Sequence, residues 1–191
     1  GNSLTFATNN TETIESKQIK TVRAWISIIC RSNELASLAF ITGRAITSPL
    51  LNDYNTIAKN RGMSLISYLI YKLEKNEIYD QFLANNIAFA NNIRKKSYTE
   101  HPAKIMEEIW NRVVLMNEKS TTTKSQELFL DFYTMLLPYI QRCPIGDYSM
   151  LKIYMEECVN DTMLATNEQT TFISTMHAMK GRQAKIIYVC A

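Results

Sequence analysis

The residues best suited to chemistry stand near the end of the chain, where Thr175, His177, Lys180 and Gly181 follow one another at short spacing. A hydroxyl, an imidazole and an ammonium group can all donate hydrogen bonds, and the lysine adds a positive charge. The glycine permits a tight turn that brings the backbone close to a ligand. Such donors suit contacts to nucleic-acid phosphates and sugars, which carry no base information. The alternative is an ordinary β-turn made of common polar residues.

This polar hinge must be positioned by the elements on either side of it. Residues 172–176 and 186–189 are short apolar runs rich in β-branched and aromatic side chains, so the pattern predicts strand, loop, strand. The remaining residues are mostly helical in their apolar spacing. We therefore predict a mainly α protein, a bundle-like multi-helix body with a short β segment at its C-terminus. The predicted parts are a tail or short edge strand at 1–12, the helical body at 13–165 and the strand-loop-strand at 166–191.

The hinge resembles motif V of the UvrD/Rep-like superfamily-one DNA helicases. The resemblance implies that Thr175, His177, Lys180 and Gly181 lie against the single strand of DNA. In the family the acidic residue two positions after the glycine reaches the ribose of ATP. Here that position is Gln183, which can still hydrogen-bond a ribose hydroxyl but lacks the strength of a charged acceptor.

A second stretch carries the same resemblance. Residues 13–38 are similar to the start of the helical insertion subdomain of these helicases, and Arg44-Ala-Ile-Thr47 stands where the family has Arg-Gly-Ile-Gly. In the family this turn belongs to a helix-hairpin-helix element whose backbone N–H groups reach duplex phosphates, which makes Arg44 a candidate DNA contact. Ala45 and Thr47 would be strained if the turn required positive φ. A purely structural connection, with Arg44 as a solvated surface residue, is the alternative.

Together the two stretches imply a fragment of an ATP-dependent 3′-to-5′ DNA helicase, running from the helical insertion through motif V into the second RecA-like domain. ATP and Mg2+ would serve the parent protein. The expected partners are single-stranded DNA, a duplex junction and the remaining helicase domains. The fragment alone is not expected to hydrolyse ATP, because its five glycines form no phosphate-binding loop. A helicase fused to a nuclease fits the same residues.

A non-enzymatic protein-interaction module, or a degenerate helicase domain, is the alternative from another class. The side chains of Ala45 and Thr47 and the amide of Gln183, in place of the family's residues, favour it. An upstream Gly-x-Gly-Lys-Thr loop and a downstream arginine-rich motif in the full-length protein would favour the enzyme.

Composition limits the class of protein without identifying its function. The 191 residues are 46% hydrophobic and 20% charged with a net charge of +3, values typical of a globular protein that tolerates a phosphate partner. The chain has four cysteines without a Cys-x-x-Cys pair and only two histidines, so a zinc site has little support. The most apolar stretch, residues 24–30, is too short to cross a bilayer, and we expect a cytoplasmic protein without a membrane partner.

Local signals predict where the helices begin and end. Trp25 lies on the apolar stripe of the first helix and is expected in the core. The basic run 94–96 fits a helix C-terminus or a nucleic-acid contact. Helix starts are predicted at Asn33 as an N-cap, at Ser48-Pro49, at Ser64 as a cap, at Asn76 for a long helix to Lys96, at Pro102, and at Asp147 or Ser149 for the last helix. Helix ends are predicted at Gly43 and at Arg61-Gly62, and Pro138 is predicted to kink or shorten its helix.

Overall fold

A computed structural model describes residues 6–8, 17–117, 123–155 and 171–173 of the chain. The prediction of a mainly α protein is confirmed. The helices are α1 (Lys17–Ile29), α2 (Glu34–Thr42), α3 (Pro49–Asn60), α4 (Leu65–Glu74), α5 (Gln81–Lys96), α6 (Pro102–Asn117) and α7 (Thr123–Arg142), followed by a helical segment at 149–155. No helix in these ranges has the length and apolar character that a bilayer crossing needs.

Two short strands pair at the ends of the described chain. The first, β1 (Phe6–Thr8), falls in the predicted tail or edge strand, and the second, β2 (Thr171–Ile173), overlaps the predicted apolar run at 172–176. They are parallel, with Phe6 opposite Thr171 and Thr8 opposite Ile173. All the described helices lie between them in sequence, so the helical body is a long connection between two neighbouring strands.

Helix α1 is the centre of the hydrophobic core. It packs against α2, α5, α6 and α7, which explains why Val22, Trp25, Ile26 and Ile28 are all fully buried. The prediction that Trp25 belongs to the core is confirmed. Its ring meets the edge of Phe89 from α5 at 4.8 Å between centroids, an arrangement that aromatic pairs favour.

A buried ion pair joins four of the helices. Arg94 of α5 pairs with Glu34 of α2, and both side chains are at least nine-tenths buried. Arg94 also donates from Nε and Nη2 to the carbonyl of Ile28 in α1, at 3.0 and 2.9 Å. The other Glu34 oxygen accepts from the backbone N–H of Ile66 in α4 at 2.9 Å. Of the predicted basic run, Arg94 is therefore part of the core and does not contact nucleic acid.

Helix ends follow the sequence signals in most places. Gly43 ends α2 with φ of +65° and Gly62 ends α3 with φ of +67°, as predicted. Pro49 opens α3, and Ser64 caps α4 by accepting from the N–H of Ser67 at 3.3 Å. The start at Pro102 and the last helix, from residue 149, are also confirmed.

One boundary prediction is wrong, and two others hold only in part. Asn33 is the N-cap residue of α2 as predicted, but it adopts a left-handed conformation and its side chain makes no capping bond. Asn76 does not start α5 but ends α4, with φ of +56°, and Asp80 caps α5 by accepting from the N–H of Leu83 at 2.9 Å. Pro138 does not shorten α7, which continues to Arg142, and the alternative of a kink at Pro138 stays a prediction. A proline in a helix removes one hydrogen bond, and the buried contacts of neighbouring apolar residues in α7 offset that loss.

Candidate nucleic-acid interface

The predicted motif V residues lie outside the described part of the chain. Thr175, His177, Lys180, Gly181 and Gln183 follow β2 in sequence, and the described structure ends at residue 173. Their roles as DNA and nucleotide contacts stay predictions. The candidate site that the structure does describe is the turn between α2 and α3, which contains Arg44.

This turn joins two helices through a short loop, residues 43–48. At the end of α2 the N–H of Gly43 donates to the carbonyl of Phe40 at 3.1 Å, and the N–H of Arg44 donates to that of Ala39 at 2.9 Å. These two bonds form a Schellman motif, which ends a helix with a residue of positive φ. The N–H of Ser48 then donates to the carbonyl of Ala45 at 2.8 Å and closes a β-turn just before Pro49.

The loop presents backbone donors without internal partners. Within the described part of the chain, the N–H groups of Ala45, Ile46 and Thr47 make no hydrogen bond. The side chain of Ser48 makes no capping bond to the first turn of α3. These N–H groups belong to exposed residues just before the N-terminus of α3, which is the positive end of that helix. This arrangement suits a phosphate oxygen, which accepts from backbone donors at helix N-termini.

The absence of glycine at positions 45 and 47 does not strain the loop. Among the described residues, only Arg31, Asn33 and Asn76 have positive φ without being glycine, so Ala45 and Thr47 have ordinary backbone angles. The possibility that these side chains force strain on the turn is therefore wrong. The one position of the loop that needs a left-handed conformation is Gly43, where a glycine is present.

Arg44 is anchored and is not a freely solvated side chain. Its Nη2 donates to Oδ2 of Asp80, the capping residue of α5, and both side chains are about 30% exposed. Its Nε is buried without a partner among the described residues. With one carboxylate already neutralising its charge, Arg44 holds the loop against the start of α5. The sequence alone did not indicate this ion pair. Its only local signal was that Asp80 is a residue type favoured at a helix N-cap.

Two large side chains are exposed, one in the loop and one next to its anchor. Ile46 in the loop is 52% exposed, and Tyr79, the sequence neighbour of Asp80, is 93% exposed. Sequence reasoning missed Tyr79, whose only signal is a tyrosine in a polar turn. An exposed aromatic ring offers a face on which a base can stack.

The described residues contain no group of three or more histidine, cysteine, aspartate or glutamate side chains that could hold a metal ion. Cys30 and Cys143 are free thiols, and burial raises the pKa of both. They are thus poor nucleophiles near neutral pH. Both cysteines contribute to the packing of the helices.

Comparison of the chain with protein-family models, curated proteins and solved structures gives no match.

Proposed function

We propose that these 191 residues belong to a UvrD/Rep-like superfamily-one DNA helicase and contribute DNA contacts to it. The helical body is then the insertion subdomain, and β1 and β2 belong to the second RecA-like domain. The parent protein couples ATP hydrolysis with Mg2+ to 3′-to-5′ movement on a single strand. The resemblance of residues 13–47 and 175–181 to the family is the starting point of this proposal.

The pairing of the two strands supports the insertion. Parallel strands require a crossover connection, and here the connection contains every described helix. A subdomain inserted between two neighbouring strands of a parallel sheet produces this arrangement.

The observation that carries DNA binding is the set of unpartnered N–H groups at residues 45–47, between two helices. Backbone donors contact phosphate without reading bases, as movement along any sequence requires. Arg44 supports this role by anchoring the loop through Asp80.

Binding of a labelled duplex with a single-stranded tail tests the proposal, with Ile46→Pro compared with Ile46→Ala. Proline fits the second position of the β-turn and removes one loop N–H, whereas alanine removes only the apolar tip. We expect the proline variant to bind at least severalfold more weakly than the alanine variant. Lys180→Ala tests the predicted motif V contact in the same assay. Equal binding by the two Ile46 variants would remove the loop from the interface, and no binding by folded wild type at low salt would contradict the proposal.

A protein-interaction module is the second candidate, favoured by a groove between α5 and α6. The groove has a volume of about 740 Å³ and is lined by Phe82, Phe89, Arg112 and several asparagines. Phe82 is 47% exposed, which is unusual for a large aromatic side chain on a helix. This candidate would be favoured if the folded chain does not bind DNA and the full-length protein has no nucleotide-binding loop upstream.

A further inference from the structure

The groove between α5 and α6 contains an arginine that pairs with no carboxylate in the described part of the chain. Arg112 of α6 lines this groove and takes part in none of the salt bridges among the described residues. Glu108 lies one helical turn earlier and also lines the groove, but it pairs with Lys96 and accepts from Nδ2 of Asn92 at 3.2 Å. The charge of Arg112 is therefore available to an anion from another molecule.

Uncharged partners hold Arg112 in place. Its Nη2 donates to Oδ1 of Asn86 at 3.0 Å and to the backbone carbonyl of Asn85 at 3.4 Å. Asn86 is fully buried, and its own amide donates to the carbonyl of Phe82 at 2.9 Å, which fixes the direction of its oxygen. The guanidinium also lies over the ring of Phe89, 4.4 Å from Cζ to the centroid. Because the side chain is already ordered, binding of an anion to it costs little conformational entropy.

The surroundings of Arg112 favour a charged ligand. Its Nε is buried without a hydrogen-bond partner among the described residues, and burial lowers the pKa of the guanidinium from its ordinary value. An amide oxygen and an aromatic ring compensate only part of the hydration that a half-buried charge has lost. A carboxylate compensates it better, because charge-assisted hydrogen bonds are about twice as strong as neutral ones.

The rest of the lining indicates a peptide. Phe82 presents an aromatic ring that is 47% exposed, and the exposed amides of Asn85 and Asn111 can pair with the N–H and C=O groups of a peptide backbone. A nucleic-acid strand is bound by grooves with several cations, whereas the described lining contains one arginine and the carboxylate of Glu108. The groove has a volume of about 740 Å³, within the range of about 300–1,000 Å³ for ligand sites.

We propose that this groove binds a peptide segment of a partner protein that carries a carboxylate close to a large apolar side chain. The carboxylate accepts hydrogen bonds from Arg112, and the apolar side chain packs against Phe82. Arginine and aromatic residues of this kind supply much of the binding energy in protein interfaces. The inference goes beyond the proposed function, because the loop at 43–48 takes no part in the lining of the groove.

Selection from a library of random heptapeptides displayed on phage, with the 191-residue chain as the target, tests the groove. We expect the enriched peptides to share an aspartate or glutamate close to a large apolar residue. The most enriched peptide is then labelled with fluorescein and titrated by fluorescence anisotropy beside a matched peptide in which the amide replaces the carboxylic acid. The amide peptide should bind about tenfold more weakly, because it cannot accept a charge-assisted hydrogen bond.

Three variants place the peptide in the groove. Arg112→Gln and Phe82→Ala should each weaken binding of the acidic peptide about tenfold. Tyr98→Ala is the control, since it removes another exposed ring that does not line the groove, and it should bind like wild type. Circular dichroism checks that each variant is folded. Arg112→Gln should also bind the acidic and the amide peptide equally, a result that a general loss of structure does not produce.

Several outcomes would overturn the inference. They are a selection that enriches no peptide, enriched peptides without a carboxylate, and equal binding of the two matched peptides by wild type. Binding of an oligothymidylate that Arg112→Gln weakens, without binding of any peptide, would assign the groove to nucleic acid. Self-association that Phe82→Ala abolishes in sedimentation would assign it to a second copy of the chain. The proposed function is tested separately by the Ile46 variants on a tailed duplex, so either proposal can fail without the other.

Discussion

Single residues in this protein derive their roles from their partners. Arg94 belongs to a basic run that fits a helix end, yet its guanidinium lies in the core beside Glu34 and the carbonyl of Ile28. Arg44 belongs to a turn that resembles a DNA-binding element, yet it pairs with Asp80. Charge alone therefore does not identify which arginines are available to a ligand.

The pair of Glu34 and Arg94 gives a stability prediction. Glu34→Ala leaves the buried Arg94 charge without a carboxylate and the N–H of Ile66 without an acceptor, so we expect it to lower the free energy of unfolding by about 3–5 kcal/mol. The control is Glu108→Ala, which removes the partly exposed partner of Lys96 and should cost less than about 1 kcal/mol. Urea unfolding measures both. If both variants lose the same free energy of unfolding, the buried pair stabilises the fold no more than the partly exposed pair does.

At the scale of elements, four of the described helices end at a residue with positive φ, which is a glycine in two helices and a residue with a side chain in the other two. Gly43 and Gly62 end α2 and α3, whereas Arg31 and Asn76 end α1 and α4 with positive φ. In each case the next residue donates back to a carbonyl five residues earlier. The non-glycine ends adopt a conformation that side chains disfavour, and the tertiary contacts of the helices offset that cost.

This difference predicts opposite effects of two substitutions. Asn76→Gly removes an unfavourable side chain at positive φ and should raise the free energy of unfolding by up to about 0.5 kcal/mol, since asparagine already tolerates this region. Gly43→Ala should lower it by about 1–2 kcal/mol. A Cβ at position 43 meets no atom within 4 Å, so backbone strain is the whole cost. Thermal and urea unfolding measure the direction of both changes in the free energy of unfolding. If Gly43→Ala leaves this free energy unchanged, the backbone at the end of α2 can adopt another conformation without cost.

At the scale of the whole molecule, the helical body contains its own core. Most of the buried apolar side chains of α1 to α7 and of residues 149–155 form one cluster. The strands β1 and β2 contact each other through three residues each. A two-stranded pair of this length is marginal by itself in water.

Removal of residues 1–8 should therefore leave the helical body almost unchanged. We expect a shift of less than about 1 kcal/mol in the free energy of unfolding, because among the described residues the deletion removes only the marginal strand pair. Urea unfolding followed by helical circular dichroism measures the effect, with the full chain as reference. A large loss would mean that β1 supports the helices, contrary to the division of the chain into a helical body and a piece of sheet.

The sequence by itself determined the fold class and most helix boundaries. Gly43, Pro49, Ser64 and Pro102 act through local chemistry, because a missing Cβ, a fixed φ or a capping hydroxyl works within a few residues. The same local signals failed at Asn76, where both asparagine and the later Asp80 fit a helix boundary. The resemblance to motif V implied the DNA contacts, which lie outside the described residues and stay predictions.

Only the tertiary structure decided which charged residues are buried or paired. The burial of Arg94 against Glu34 and the anchoring of Arg44 by Asp80 join residues far apart in sequence. The free energy of a charged side chain depends on its neighbours and its exposure, and neither can be read from nearby residues. Local preferences therefore predict the helices, and long-range packing determines which charged side chains are buried or paired.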